Sequence, residues 1–100
     1  MEMTNAAEDV LAERRRQIEG EGWTTQHDDK YDMEEMAQAA ASYALWAAEL
    51  TETAMEVWPS SWSRHWFKPT DQRRDLVKAG ALILAEIERL DRAAASKAAS

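Results

Sequence analysis

Cysteine is absent from this chain, and glycine, proline and histidine are scarce: three, two and two in 100 residues. Without cysteine there is no disulfide and no thiolate metal site, which fits a reducing cytosol. Three glycines make no phosphate-cradling loop. Two histidines, His27 and His65, are too few for the scattered His and Asp ligands of metal-dependent phosphohydrolases. Ser60, Ser61 and Ser63 have only His65 near them in sequence, so no nucleophile–base pattern emerges and no catalytic residue is assigned. No apolar run approaches the ~20 residues that span a bilayer, and the N-terminus lacks the basic-then-apolar order of a signal peptide. A cytoplasmic protein with no membrane partner is the expectation.

The balance of charge is acidic, −7 overall, which argues against general binding to duplex nucleic acid. It is also uneven. Residues 1–57 carry 14 acids and 4 bases, whereas residues 58–100 carry 5 acids and 8 bases. The bases concentrate at Arg64, Lys68, Arg73, Arg74 and Lys78. Such a local cationic patch suits a small anion better than a polymer; the alternative is pairing between an acidic first half and a basic second half, within one chain or between subunits.

Periodicity predicts three helices and no strand in a single domain. The first covers 5–20, with Asn5 and Glu8 as a capping-box pair and Val10, Leu11, Arg14 and Ile18 on one face. Arg14, Arg15 and Arg16 wrap round it, so at most one or two can address one target. The second covers 32–57, capped by Asp32 and Glu35, with an inward face of Met36, Ala40, Tyr43, Ala47, Leu50 and Ala54 that is short of bulk; Trp46 is expected to supply some. The third covers 70–92, capped by Thr70 or Asp71, with Leu76, Gly80, Ile83, Ile87 and Leu90 as its apolar stripe, widened by Val77 and Leu84. Residues 93–100 are expected to fray. The fold class is therefore all-α: an antiparallel pair of long helices plus an N-terminal helix. Such a pair buries its wide apolar faces poorly alone, so a homo-oligomer is expected.

Four of the five tryptophans and both histidines lie between these helices, in GWTTQHDDKY (22–31) and in the connection 58–69 with WPSSWSRHWFKP. Loops usually carry small polar residues. Aromatic faces stack on bases, and guanidinium groups hold phosphate oxygens through paired hydrogen bonds. The candidate ligand-binding residues are thus Trp23, Trp62 and Trp66 for stacking, Arg64, Lys68, Arg73 and Arg74 for phosphates, and His27 with Asp28 for base or ribose. Trp58, Trp62 and Trp66 recur every fourth residue and would line one side of a short helix after Pro59. The competing reading makes the same loop a hydrophobic lid over an alanine-rich core. Asp28, Asp29, Glu35 and Asp75 form an alternative set for Mg²⁺, since hard cations take oxygen ligands, although acids at a helix start also serve the helix dipole. All-α nucleotide pyrophosphohydrolases of the MazG-like type are similar in size and class; their Glu-Glu-x-x-Glu run is here Glu34-Glu35 followed by Gln38, an incomplete set.

The blocks ERRRQIEGEGWTTQHDDKY, WFKP and RRDLVKAGALILAEIERLDR, over residues 11–92, resemble a family of small proteins encoded by tailed phages and prophages. The resemblance implies action inside an infected bacterium and carries over no activity. Small helical phage proteins include sponges that sequester cyclic nucleotide or ADP-ribose-derived immune signals. The leading expectation is accordingly a non-enzymatic protein, needing no cofactor, that binds and sequesters such a signal. The alternatives are a Mg²⁺-dependent pyrophosphohydrolase and an inhibitor that grips a host protein.

Overall fold

The computed structural model describes residues 2–22 and 25–99, apart from the side chains of Thr25 and His27. Every regular element among them is helical: α1 (Asn5–Gly20), α2 (Thr25–Asp28), α3 (Glu35–Ala47), α4 (Thr51–Val57), a 3₁₀ turn (Arg64–Trp66) and α5 (Gln72–Ala99). No helix among these residues is long and apolar enough to cross a membrane.

At α5 the cap is one of the two expected, Asp71; at α1 and α3 the caps differ from the expected ones. Thr4, one residue before Asn5, accepts from the Ala7 N–H at 3.2 Å, and Asn5 is already helical. At α5, Asp71 accepts from the Arg74 N–H at 2.9 Å, while Asp75 reaches back to the Thr70 N–H at 2.8 Å. The α3 helix starts at Glu35, not Asp32. Its cap residue is Glu34 in the left-handed region (φ 69°), without a side-chain cap bond, and the Glu35 carboxylate instead accepts from the Met33 N–H.

The single helix expected over 32–57 is two. After Ala47 the chain closes a left-handed cap: Leu50 N–H bonds to Leu45 O at 2.9 Å, Glu49 N–H to Trp46 O at 3.0 Å, and Glu49 takes φ 67°. This is the hydrogen-bond pattern that usually places glycine at the left-handed position. Glutamate occupies it here, so no Gly or Pro marks the break. The α5 helix, conversely, continues through the predicted frayed tail to Ala99.

The largest correction concerns which face of α5 is inside. Leu76, Ile83, Ile87 and Leu90 are all about half exposed. The buried face is Val77, Ala79, Ala81, Leu82 and Ala85, which lies against α3 and α1. From α3 come Met36, Ala39, Ala40, Tyr43 and Ala47; Leu50, expected with them, is exposed. Alanine on both partners permits close approach but fills little volume. The bulk comes from the buried Trp58 and Trp62: Trp58 packs against Tyr43, Trp62 against Trp58, and Phe67 against Tyr43 and Trp58. Trp46 packs edge-on to Phe67 at 5.5 Å, at the margin of this cluster.

Charged residues join α1 to α5. Arg73 pairs with Asp9 at 2.8 Å, and Arg74 with the buried Glu13. Arg14, itself buried, donates to Asp28 at 2.8 Å and to Glu88 at 3.1 Å. Between these, Val10 crosses α5 at Gly80, where a Cβ would lie 3.2 Å from a Val10 methyl. The acidic half and the basic half of the chain are thus tied within one molecule.

Candidate functional site

A cavity of about 290 Å³ opens between α1, α3, α5 and the tryptophan loop. Its walls follow from the local structure of each segment. Arg14, Arg15 and Arg16 diverge as helical geometry requires: Arg14 turns inward, Arg15 is exposed, and Arg16 lines the cavity with Glu13, Gln17 and Glu21. The end of α2 contributes Asp28 and the loop after it Tyr31, and α3 contributes Met36 and Tyr43. The 58–69 connection supplies Trp62, Trp66 and Lys68, and α5 supplies Lys78 and Leu82.

That connection is not a helix after Pro59. Two successive turns, Trp62 N–H to Pro59 O and Trp66 N–H to Ser63 O, both 3.1 Å, still bring the three rings into a chain. Trp58 and Trp62 meet edge-on at 5.5 Å, and Trp62 and Trp66 at 5.7 Å. The two readings of the loop therefore divide along it. Trp58 is core, its indole N–H donating to Ser63 O at 3.2 Å. Trp62 is buried yet contributes to the cavity wall, and Tyr31 packs on it at 4.9 Å. Trp66 lines the cavity while remaining 48% exposed, the position from which a ring can stack on a ligand.

Electrostatics give the cavity a sign. Its three carboxylates are already engaged: Glu13 by Arg16 and Arg74, Glu21 by Arg16, and Asp28 by Arg14. Lys68 and Lys78 have no carboxylate within ion-pair distance among the described residues. The Lys78 ammonium donates to Lys68 O at 2.6 Å and sits 5.5 Å from the centre of the Tyr43 ring. Burial, foremost, pulls its pKa below the ordinary 10.5. The charge left unmatched at the cavity is therefore that of two lysines. Tyr43 accepts from the Lys68 N–H at 3.0 Å, and burial raises its own pKa, so its phenolic proton remains to be donated. In the α1 wall, the buried Gln17 Oε1 has no hydrogen-bond partner among the described residues, while its amide N–H donates to Glu13.

Glu13 gives this wall a pH dependence. Burial alone would raise its pKa, but hydrogen bonds and charge from Arg16, the charge of Arg74 and the Gln17 amide outweigh that and hold it below the ordinary 4.5. A carboxyl depressed in the folded state adds stability above its unfolded value, and that contribution is lost as pH falls through the folded value. Denaturant unfolding of the wild type is expected to weaken more steeply below pH 4.5 than that of Glu13→Gln. The gap between the two proteins closes as the medium is acidified; a gap independent of pH would disprove the assignment.

Of the predicted ligand-binding residues, the cavity brings together Asp28, Trp62, Trp66 and Lys68. Arg64 is exposed and outside it, and Arg73 and Arg74 are held at the α1–α5 junction by Asp9 and Glu13. Trp23 and the His27 side chain lie outside the described residues. The four carboxylates of the alternative magnesium set each engage a different partner: Asp28 is on Arg14, Asp29 on Arg92, Glu35 on the Met33 amide and Asp75 on the Thr70 amide. Among the described residues no three His, Asp or Glu side chains gather as metal ligands would. Lys78, which the sequence placed in the cationic patch without assigning it to the site, also lines the cavity, and Glu13, Arg16, Gln17, Glu21 and Tyr31 join it without having been singled out for it. The available signal was on α1, where Val10, Arg14 and Gln17 continue one face with polar residues, the mark of a helix whose inner side meets a polar site.

No protein-family model, curated protein or solved structure matches this chain.

Proposed function

We propose that this is a non-enzymatic, self-associating phage protein that binds a nucleotide-derived signal in the cavity and sequesters it in the cytoplasm of an infected bacterium, blunting a host defence. The observation that carries the reading is the pairing of a half-exposed Trp66 with two lysines unmatched by carboxylates, on the wall of one cavity. A ring stacks on Trp66, a phosphate meets Lys68 and Lys78, and Tyr43 Oη donates to an oxygen. The volume, about 290 Å³, stands at the lower end of the ~300–1,000 Å³ usual for ligand pockets. It suits one nucleotide unit; an ADP-ribose-sized ligand would extend past Trp66 into solvent. The phage origin and anti-defence role rest on the sequence resemblance, and the cyclic nucleotide and ADP-ribose classes on analogy with known sponges.

The test is depletion and recovery. The protein is incubated with cyclic nucleotides, ADP-ribose and nucleoside triphosphates with Mg²⁺, separated from unbound ligand, heat-denatured, and the released material chromatographed. Recovery of one intact ligand supports sequestration. Monophosphate and pyrophosphate products would support the hydrolase instead, and depletion of nothing would overturn both. Trp66→Ala is expected to weaken binding about ten- to a hundred-fold, from the ~1–3 kcal/mol a base–aromatic stack contributes. Unchanged affinity in that variant would remove Trp66 from the site.

A further inference from the structure

We propose that two copies of the chain pair antiparallel through the outer face of α5, about a two-fold axis near Ile83. The molecule measures 44 × 38 × 21 Å. Its thin dimension is two helix diameters, so one side of α5 is covered and the other is not. On the uncovered side Leu76, Ile83, Ile87 and Leu90 are 51%, 50%, 48% and 52% exposed. Leu76, Ile83, Ile87 and Leu90 follow one another at seven-, four- and three-residue steps, the spacing of a helix–helix seam; Gly80, between Leu76 and Ile83, lies at its edge under Val10 of α1. Beside Ile83 and Ile87 runs an apolar groove of about 250 Å³, formed with Ala37, Ala40, Ala41 and Ala44 of α3. Its small residues leave room for the partner's Ile83 and Ile87, as its own isoleucines fill the matching groove opposite.

Charge sets both occupant and direction. The stripe is bounded by Arg73 at one end and Asp91 at the other. Arg73 pairs with Asp9 but keeps its side chain 59% exposed; Asp91 is exposed and in no ion pair among the described residues. Antiparallel pairing about Ile83 sets Leu76 against the partner's Leu90 and Arg73 close to the partner's Asp91. Parallel pairing would set like charges against each other at both ends. A surface complementary to itself under a two-fold rotation is what an isologous dimer requires. No residue lining the cavity belongs to the stripe, so pairing leaves both cavities open.

Sedimentation equilibrium of the full chain at micromolar concentration is expected to give about twice the 11.4 kDa monomer mass. Ile83→Asp/Ile87→Asp is expected to sediment as a monomer with an unchanged far-ultraviolet circular dichroism spectrum. If that variant loses helicity, direction is read from thiols alone, which is clean in a chain without cysteine. With a short bis-maleimide, Ile83→Cys is expected to cross-link to itself. Leu76→Cys should cross-link only when mixed with Leu90→Cys. A monomeric or higher-order wild type, a dimeric double-aspartate variant, or self-cross-linking of Leu76→Cys would overturn the proposal.

Discussion

Replacing Lys78 with glutamate is expected to abolish anion binding. The substitution puts a carboxylate into a cavity whose other carboxylates are already neutralised and whose remaining positive charge is that of Lys68 and Lys78. Lys78→Met separates charge from shape, since it keeps the aliphatic stem over the Tyr43 ring and removes only the ammonium. A hydrogen bond to a charged group contributes about 1.5–3 kcal/mol, so the methionine variant should bind roughly ten- to a hundred-fold more weakly. The ammonium also donates to Lys68 O at 2.6 Å, and a purely structural role would predict a lower unfolding midpoint with affinity intact. Isothermal titration and denaturant unfolding of the same variant distinguish the two. pH adds a third readout. Because burial lowers the lysine's pKa from 10.5, binding by the wild type should decline before that pH is reached. Lys78→Arg, which stays charged throughout, should extend binding to higher pH.

The helical class was legible in the sequence because three- and four-residue apolar spacing recurs along the chain, even though the caps found at Thr4 and Glu34 are not the expected ones. The choice of buried face on α5 was not. Hydrophobicity puts Leu76, Ile83, Ile87 and Leu90 inside, yet three of the five buried apolar positions are Ala79, Ala81 and Ala85, beside Val77 and Leu82. Close approach of α3 and α5 needs small residues at the crossing, and a scale that ranks leucine above alanine cannot see that need. The break after Ala47 was hidden for a related reason. Glu49 is in a left-handed conformation usually read from glycine, and its hydrogen bonds are made by backbone alone.

The site divides in the same way. Aromatic enrichment pointed to the connection 58–69, and Trp62, Trp66 and Lys68 do line the cavity. Local sequence could not distinguish Trp58 from Trp66, because the difference lies in what covers each ring. The arginines of α5 looked like phosphate ligands, but the acids that claim them, Asp9 and Glu13, are more than sixty positions away. Lys78 is distinguished by what is missing near it, and a missing partner is visible only in three dimensions.

The same long-range pairing makes Arg14 the position where a single change should cost most stability. Its guanidinium is buried, holds Asp28 at 2.8 Å and Glu88 at 3.1 Å, and so connects α1 with the end of α2 and with α5. Asp28 is only 1% exposed. Arg14→Leu would remove the guanidinium that this buried carboxylate holds at 2.8 Å, and removing one partner of a buried pair costs about 3–5 kcal/mol. Small domains have ~5–15 kcal/mol in total, so the loss should be evident in a urea titration. Leucine keeps the apolar contacts of the arginine stem, which limits what packing alone can account for. The contribution of the ion pair can be isolated by adding Asp28→Leu, because replacing both members of a buried pair by apolar residues is often close to neutral. The double variant is expected to regain most of the stability lost by Arg14→Leu. If it is instead less stable than the single variant by the full cost of a second substitution, the pair is not coupled and Arg14 acts through packing.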